Sequence, residues 1–170
     1  LKTLLLLLCL TLTGCATTPQ QLTVEHIKEQ DYKVTGHLDR EEYEEIIRIV
    51  RANWGKPINF YATSHGGSSD DLFECMDTLY AHGQVHWYSV SHCNSACAIL
   101  ALSTRHGHGD FKMHSFYRRH HHYVETATRY NELTLEKLEH YGYDVGFLSH
   151  MFHSPEELWD LHLEDGVIVE

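Results

Sequence analysis

Ile58-Asn59-Phe60-Tyr61-Ala62-Thr63, with Pro57 before it and Gly66-Gly67 after it, is the stretch that decides the fold. Apolar and aromatic residues held between two breakers predict a strand. Asp70 and Asp71 then fall in the first turn of a helix, where negative charge suits the dipole. Leu72, Cys75, Met76 and Leu79 recur at the spacing of one inward helical face. A second core strand follows over 85–90, and an apolar helix over 96–102. Strand, helix, strand, helix in units this short predict right-handed crossovers and a mainly parallel sheet flanked by helices, so the class is α/β.

Upstream, 32–38 reads as a weaker strand. Asp39, with Glu42 three residues on, makes a capping-box start for a helix whose inward face is Tyr43, Ile46, Ile47 and Val50. Downstream, Phe111-Lys112-Met113 predicts a short strand, 123–141 a helix and 145–152 a second helical piece. Ser154-Pro155-Glu156-Glu157 has the form of another capping box with proline at the first helical position, which predicts a helix that Gly166 ends. Val167-Ile168-Val169 predicts a last strand.

In such sheets functional groups gather beyond the carboxyl ends of the strands. Gly66-Gly67 follows one strand, Ser95 follows the next within Cys93-Asn94-Ser95-Ala96-Cys97, and His114 follows the short third one. That order suits acyl transfer. A serine hydroxyl is inert until a base takes its proton, and the oxyanion that then forms needs preorganised N–H donors. Each residue also has a plainer use: the glycines in a tight turn, Ser95 as the N-cap of the helix starting at Ala96, and His114 as one of sixteen histidines.

The run from Leu1-Lys2-Thr3 to Thr13-Gly14-Cys15-Ala16 is shorter than the about 20 apolar residues a membrane span needs, and 1–14 reads as an export signal. Leu12-Thr13-Gly14-Cys15 resembles a bacterial lipobox, which implies cleavage before Cys15 and acyl chains on it, enough for stable anchoring. With Ala16 beside it, the resemblance implies the outer membrane, with the protein facing the periplasm. Residues 15–30 read as a tether and 31–170 as one domain. Removing 1–14 takes away one base, Lys2, and no acid, so 12 basic side chains remain against 24 acidic ones. That balance argues against nucleic acid as a partner and leaves the lipid to do the anchoring.

The spacing of Cys93 and Cys97 leaves open a disulfide around Ser95 and a pair of packed thiols. Cys75 lies on an inward helical face, as core. His106 and His108, with His120 and His122 further on, offer imidazoles for a transition metal. Adjacent strand residues face opposite ways and Arg118-Arg119 stands beside the second group, so neither a metal nor another cofactor is expected.

Taken in order, four segments resemble the Clp protease catalytic subunit and its relatives in the ClpP/crotonase superfamily, in particular bacterial exported ClpP-like proteins. They are Ser64-His65-Gly66-Gly67-Ser68-Ser69, Cys93-Asn94-Ser95-Ala96-Cys97, Met113-His114, and Ser154-Pro155-Glu156-Glu157 with Gly166-Val167-Ile168. The likeness runs from about residue 32 to the end. It implies repeated ββα-type units, Ser95 as nucleophile, His114 as general base, and the N–H groups of Gly67 and Ala96 as oxyanion donors. It also implies a peptidase acting on peptide or protein, in an assembly of identical subunits. The family's aspartate has no counterpart in the matching stretch Phe147-Leu148-Ser149-His150-Met151, which leaves Asp144 or Ser149 as the third member. Two readings from other classes stay beside this one: an inactive scaffold on the same fold, and a histidine-rich metal-binding lipoprotein.

Overall fold

Along 58–67 burial alternates: Ile58, Phe60, Ala62, Ser64 and Gly66 are inside, and the residues between them are more open. Period-two burial of this kind marks an inner strand with one face on the core. The computed structural model describes residues 23–119, 121, 124–152 and 157–169. In chain order it runs β1 (Val24–Lys28), β2 (Asp31–Leu38), α1 (Arg40–Ala52), β3 (Ile58–Gly67), α2 (Leu72–His82), β4 (Val85–Cys93) and α3 (Ala96–Leu102). Then follow β5 (His106–Met113), β6 (Tyr117–Arg119), β7 (Val124–Thr126), α4 (Thr128–His140) and α5 (Val145–Ser149). A 3-10 turn (His150–Phe152), β8 (Trp159–Glu164) and β9 (Val167–Val169) complete the order.

Strands β2, β3, β4 and β5 lie side by side and parallel. Because the strand order advances steadily in one direction, right-handed crossovers put α1, α2 and α3 on one face, where each packs on the next. Asp39 starts α1 with both halves of a capping box, and Tyr43, Ile46, Ile47 and Val50 point into the core. Phe60 and Trp87 are fully buried in the same layer, their rings 5.3 Å apart. The opposite face carries a row of stacked rings: Tyr61 on Tyr88, Tyr88 on His108, and His86 on His106. Among the described residues no helix is long and apolar enough to cross a membrane.

Several sequence expectations need correction. The seven-stranded sheet is mixed rather than mainly parallel, since β1, β8 and β9 join antiparallel at its two flanks. Within the expected tether 15–30, Val24–Lys28 pairs with β2. Only Val24 of this strand is buried, so its composition reads as a polar linker. The helix expected over 123–141 begins at Thr128, because Val124–Thr126 forms a hairpin with Tyr117–Arg119. The helix expected to end at Gly166 is instead, over 159–164, strand β8: Leu161 and Leu163 are buried and Asp160 and Glu164 are not. Asp165 and Gly166 both have positive φ, 50° and 77°, which a two-residue hairpin turn requires, and the chain reverses there into β9. Ser154, Pro155 and Glu156, the lipobox with Cys15, and His120 and His122 lie outside the described residues.

Candidate active site

The parallel strands β3, β4 and β5 end at a common edge, and each delivers one of the expected residues there. Ser95 sits at the turn from β4 into α3 with φ 54° and ψ −123°, a region that a residue with a side chain rarely occupies. Three backbone hydrogen bonds over-determine this turn: Asn94 N–H to Ser64 O at 3.0 Å, Ser95 N–H to Lys112 O at 2.7 Å, and Ile99 N–H to Ser95 O at 3.1 Å. A Cys93–Cys97 disulfide closes around it with the Cα atoms 5.2 Å apart, and both cysteines are fully buried. A sharp strand-to-helix turn that pushes a serine forward at a helix start is the geometry of a nucleophile elbow.

Gly66 faces this turn. A Cβ on it would lie 2.7 Å from Asn94 O, 2.7 Å from Ser95 Cβ and 3.0 Å from the Ala96 nitrogen, so glycine is required for the close approach. Its N–H is taken by Ser64 Oγ at 3.0 Å, and Ser64 Oγ in turn donates to Gly36 O at 2.6 Å. Gly67 is held against β2, where a Cβ would overlap Leu38 O at 1.7 Å. Ser68 N–H donates to Leu38 O at 2.8 Å and Tyr43 Oη donates to Ser68 O at 2.7 Å, so a core residue of α1 pins the loop after the glycines. The N–H of Ala96, first in α3, has no hydrogen-bond partner among the described residues and stands at the positive end of the helix.

His114 follows β5 directly. Its Nδ1 lies 2.8 Å from Ser115 O, and a carbonyl only accepts, so Nδ1 carries a proton, and in the neutral ring it is Nε2 that has the lone pair. That tautomer is the one a general base needs. In a catalytic triad an acid fixes it; in this chain a backbone carbonyl does. Ser95 and His114 line one cavity of about 670 Å³, within the usual range for ligand sites, and no hydrogen bond joins their side chains.

Neither expected third member reaches His114 Nδ1. Asp144 caps α5, accepting from Gly146 N–H at 2.8 Å, and it lines a different cavity of about 570 Å³ with Tyr80, Arg105 and Tyr141. Ser149 Oγ donates to Gly146 O of its own helix at 2.9 Å. His106 and His108 are on the ring-bearing face of the sheet. His106 Nδ1 lies 2.6 Å from Asp165, and His108 Nε2 lies 3.9 Å from the same carboxylate. The hydrogen bond to His106 holds the Asp165 carboxyl below its ordinary range, while burial, then the neighbouring His106 and His108, hold His86 below the ordinary histidine value. Among the described residues no group of three or more His, Cys, Asp or Glu side chains is placed to hold a metal ion.

His37, His65, Arg118 and Tyr130 also line the Ser95 cavity, and sequence reasoning missed them. His37 was within reach, since it lies in the last two residues of β2, paired with Gly66 near the end of β3. Arg118 carried no signal without the β6–β7 hairpin. No protein-family model matches this chain, and no match to a curated protein is found.

Proposed function

We propose that this chain is a ClpP-like serine hydrolase, a peptidase, in which Ser95 attacks the scissile carbonyl and His114 Nε2 takes its proton. The N–H groups of Gly67 and Ala96 receive the oxyanion, and no cofactor takes part. The observation that carries this reading is Ser95 itself: an unfavourable backbone conformation, clamped by a disulfide and three hydrogen bonds, at a helix start in one cavity with an imidazole whose Nδ1 faces a carbonyl. Such strain persists at functional sites, where the surroundings hold a residue to its task. Departure from the triad is supported by Ser115 O, which does for the tautomer what an aspartate otherwise does but adds no full negative charge to stabilise an imidazolium. The reading extends to a ClpP/crotonase-like assembly of identical subunits, held at the envelope by lipid on Cys15 and acting on peptide or protein.

The test is covalent. A fluorophosphonate probe is expected to label the protein at Ser95, with the site read by peptide mass spectrometry. Ser95→Ala is expected to abolish labelling, and His114→Ala to slow it by about 10²–10⁴ fold, the usual worth of a general base. A second reading, an inactive scaffold on the same fold, is favoured by the lack of a hydrogen bond between Ser95 and His114. Wild-type protein that stays unlabelled where a control hydrolase reacts would establish that second reading over the first.

A further inference from the structure

The geometry points to Arg118 as the residue that selects substrate: it accepts an acidic side chain into the Ser95 cavity. This rests on the hydrolase reading for what happens next, but not for binding. Arg118 lies on β6, four residues after His114, is exposed, and lines the same cavity as Ser95. What sets it apart is the state of its charge. In a chain with 24 acidic and 13 basic residues, other arginines are already matched: Arg40 with Asp71, Arg48 with Glu45, Arg51 with Glu74, and Arg129 with Glu132. Arg105 lies over the Tyr80 ring. Arg118 has no ion pair with any carboxylate among the described residues.

The rest of the wall fits an anionic side chain at this end. His37, His65 and His114 add imidazole rings, whose N–H groups can donate to a carboxylate. Among the described residues the one carboxylate lining the cavity is Asp70, from the loop between β3 and α2. An acidic group is therefore repelled from the Asp70 wall and drawn to the β6 wall, which gives a bound chain a direction. The guanidinium supplies a planar fork that matches a carboxylate in two parallel hydrogen bonds, so lysine is not an equivalent replacement.

The experiment presents a pool of short synthetic peptides of mixed sequence to the full-length protein in two arms. In the capture arm, Ser95→Ala protein is immobilised and bound peptides are sequenced by mass spectrometry. Enrichment of Asp and Glu is expected, falling about tenfold with Arg118→Ala added, and reversing toward Lys and Arg with Arg118→Glu. In the turnover arm, wild-type protein is expected to cleave beside acidic residues, and Arg118→Ala to lose that preference while still reacting with fluorophosphonate at Ser95. Capture or cleavage with no acidic preference, or a preference that survives Arg118→Ala, overturns the proposal. Acidic capture without cleavage or labelling sinks the hydrolase reading and leaves Arg118 as the determinant of a binding site.

Discussion

Ser95 sits where glycine is more comfortable. A residue with a Cβ at φ 54° and ψ −123° costs about 1–3 kcal/mol relative to a relaxed backbone, and only part of that returns as chain entropy when glycine replaces it. Ser95→Gly is therefore expected to raise the free energy of unfolding by about 1 kcal/mol while it ends reactivity with fluorophosphonate. Ser95→Ala ends reactivity too but keeps the strain, so its stability should stay near that of the wild type. Urea unfolding of the three proteins side by side checks this. A glycine variant less stable than the alanine variant would mean that the turn is not strained. At the same scale, His114 owes its tautomer to Ser115 O, a group on the next residue. No sequence pattern announces such a bond, because every residue carries a carbonyl, whereas the lack of a carboxylate in Phe147-Leu148-Ser149-His150-Met151 is read directly off the sequence.

Among the elements, the turn at the end of β3 and the turn into α3 fit only as a pair. Gly66→Ala brings two penalties, a positive φ of 91° and contact with Asn94 O and Ser95 Cβ at 2.7 Å. Gly55, with φ 79° and nothing within 4 Å of a Cβ, brings only the first. Gly55→Ala should cost about 1 kcal/mol and Gly66→Ala about 2–4 kcal/mol. Labelling at Ser95 should fall only in the second. Equal losses in the urea midpoint would show that the two turns do not touch.

Elements also divide what a sequence reveals from what it hides. β3, α1 and α2 were legible since one side of each packs on a core, so period two or an inward stripe of apolar residues survives in the composition. Asp39 and Glu42 gave the start of α1 because the cap is a local hydrogen-bond pattern. β8 was hidden behind a stronger local signal, the helix-start form of 154–157. The alternation of Asp160, Leu161, His162 and Leu163 and the Asp165-Gly166 turn were the competing cues. β1 was hidden because an edge strand with one buried residue in five has almost no pattern to show. The positions of Gly66, Gly67, Ser95 and His114 at one edge followed from the crossover rule alone. Arg118 and His37 did not, since they enter the cavity through tertiary placement.

For the whole molecule, the site lies on the seam between two layers. Ser95 belongs to the first turn out of the sheet, the glycines to the sheet's edge, and the loop after them is pinned by Tyr43 from the helix layer. Shifting one layer against the other would displace Ser95 and the N–H groups of Gly67 and Ala96 together, and the Cys93–Cys97 bridge ties the end of β4 to the first turn of α3 across that seam. By loop length such a short bridge is worth about 2 kcal/mol in the chain-entropy account.

The bridge also gives the protein a history. Both of its cysteines are fully buried, so a bond made during folding is shielded afterwards from reductant in the surrounding solution. A compartment that keeps thiols reduced would let the chain fold with the bond unmade. Two preparations of one sequence, folded with and without oxidant, are then expected to differ in Ser95 labelling and in urea midpoint. Mild reductant should leave that difference in place while the protein stays folded, and unfolding and refolding both preparations in the presence of reductant should erase it. Identical labelling of both would mean that the turn keeps its shape without the bond. What is fixed at folding is whether the serine stands ready, and the finished molecule carries that record in a single covalent bond.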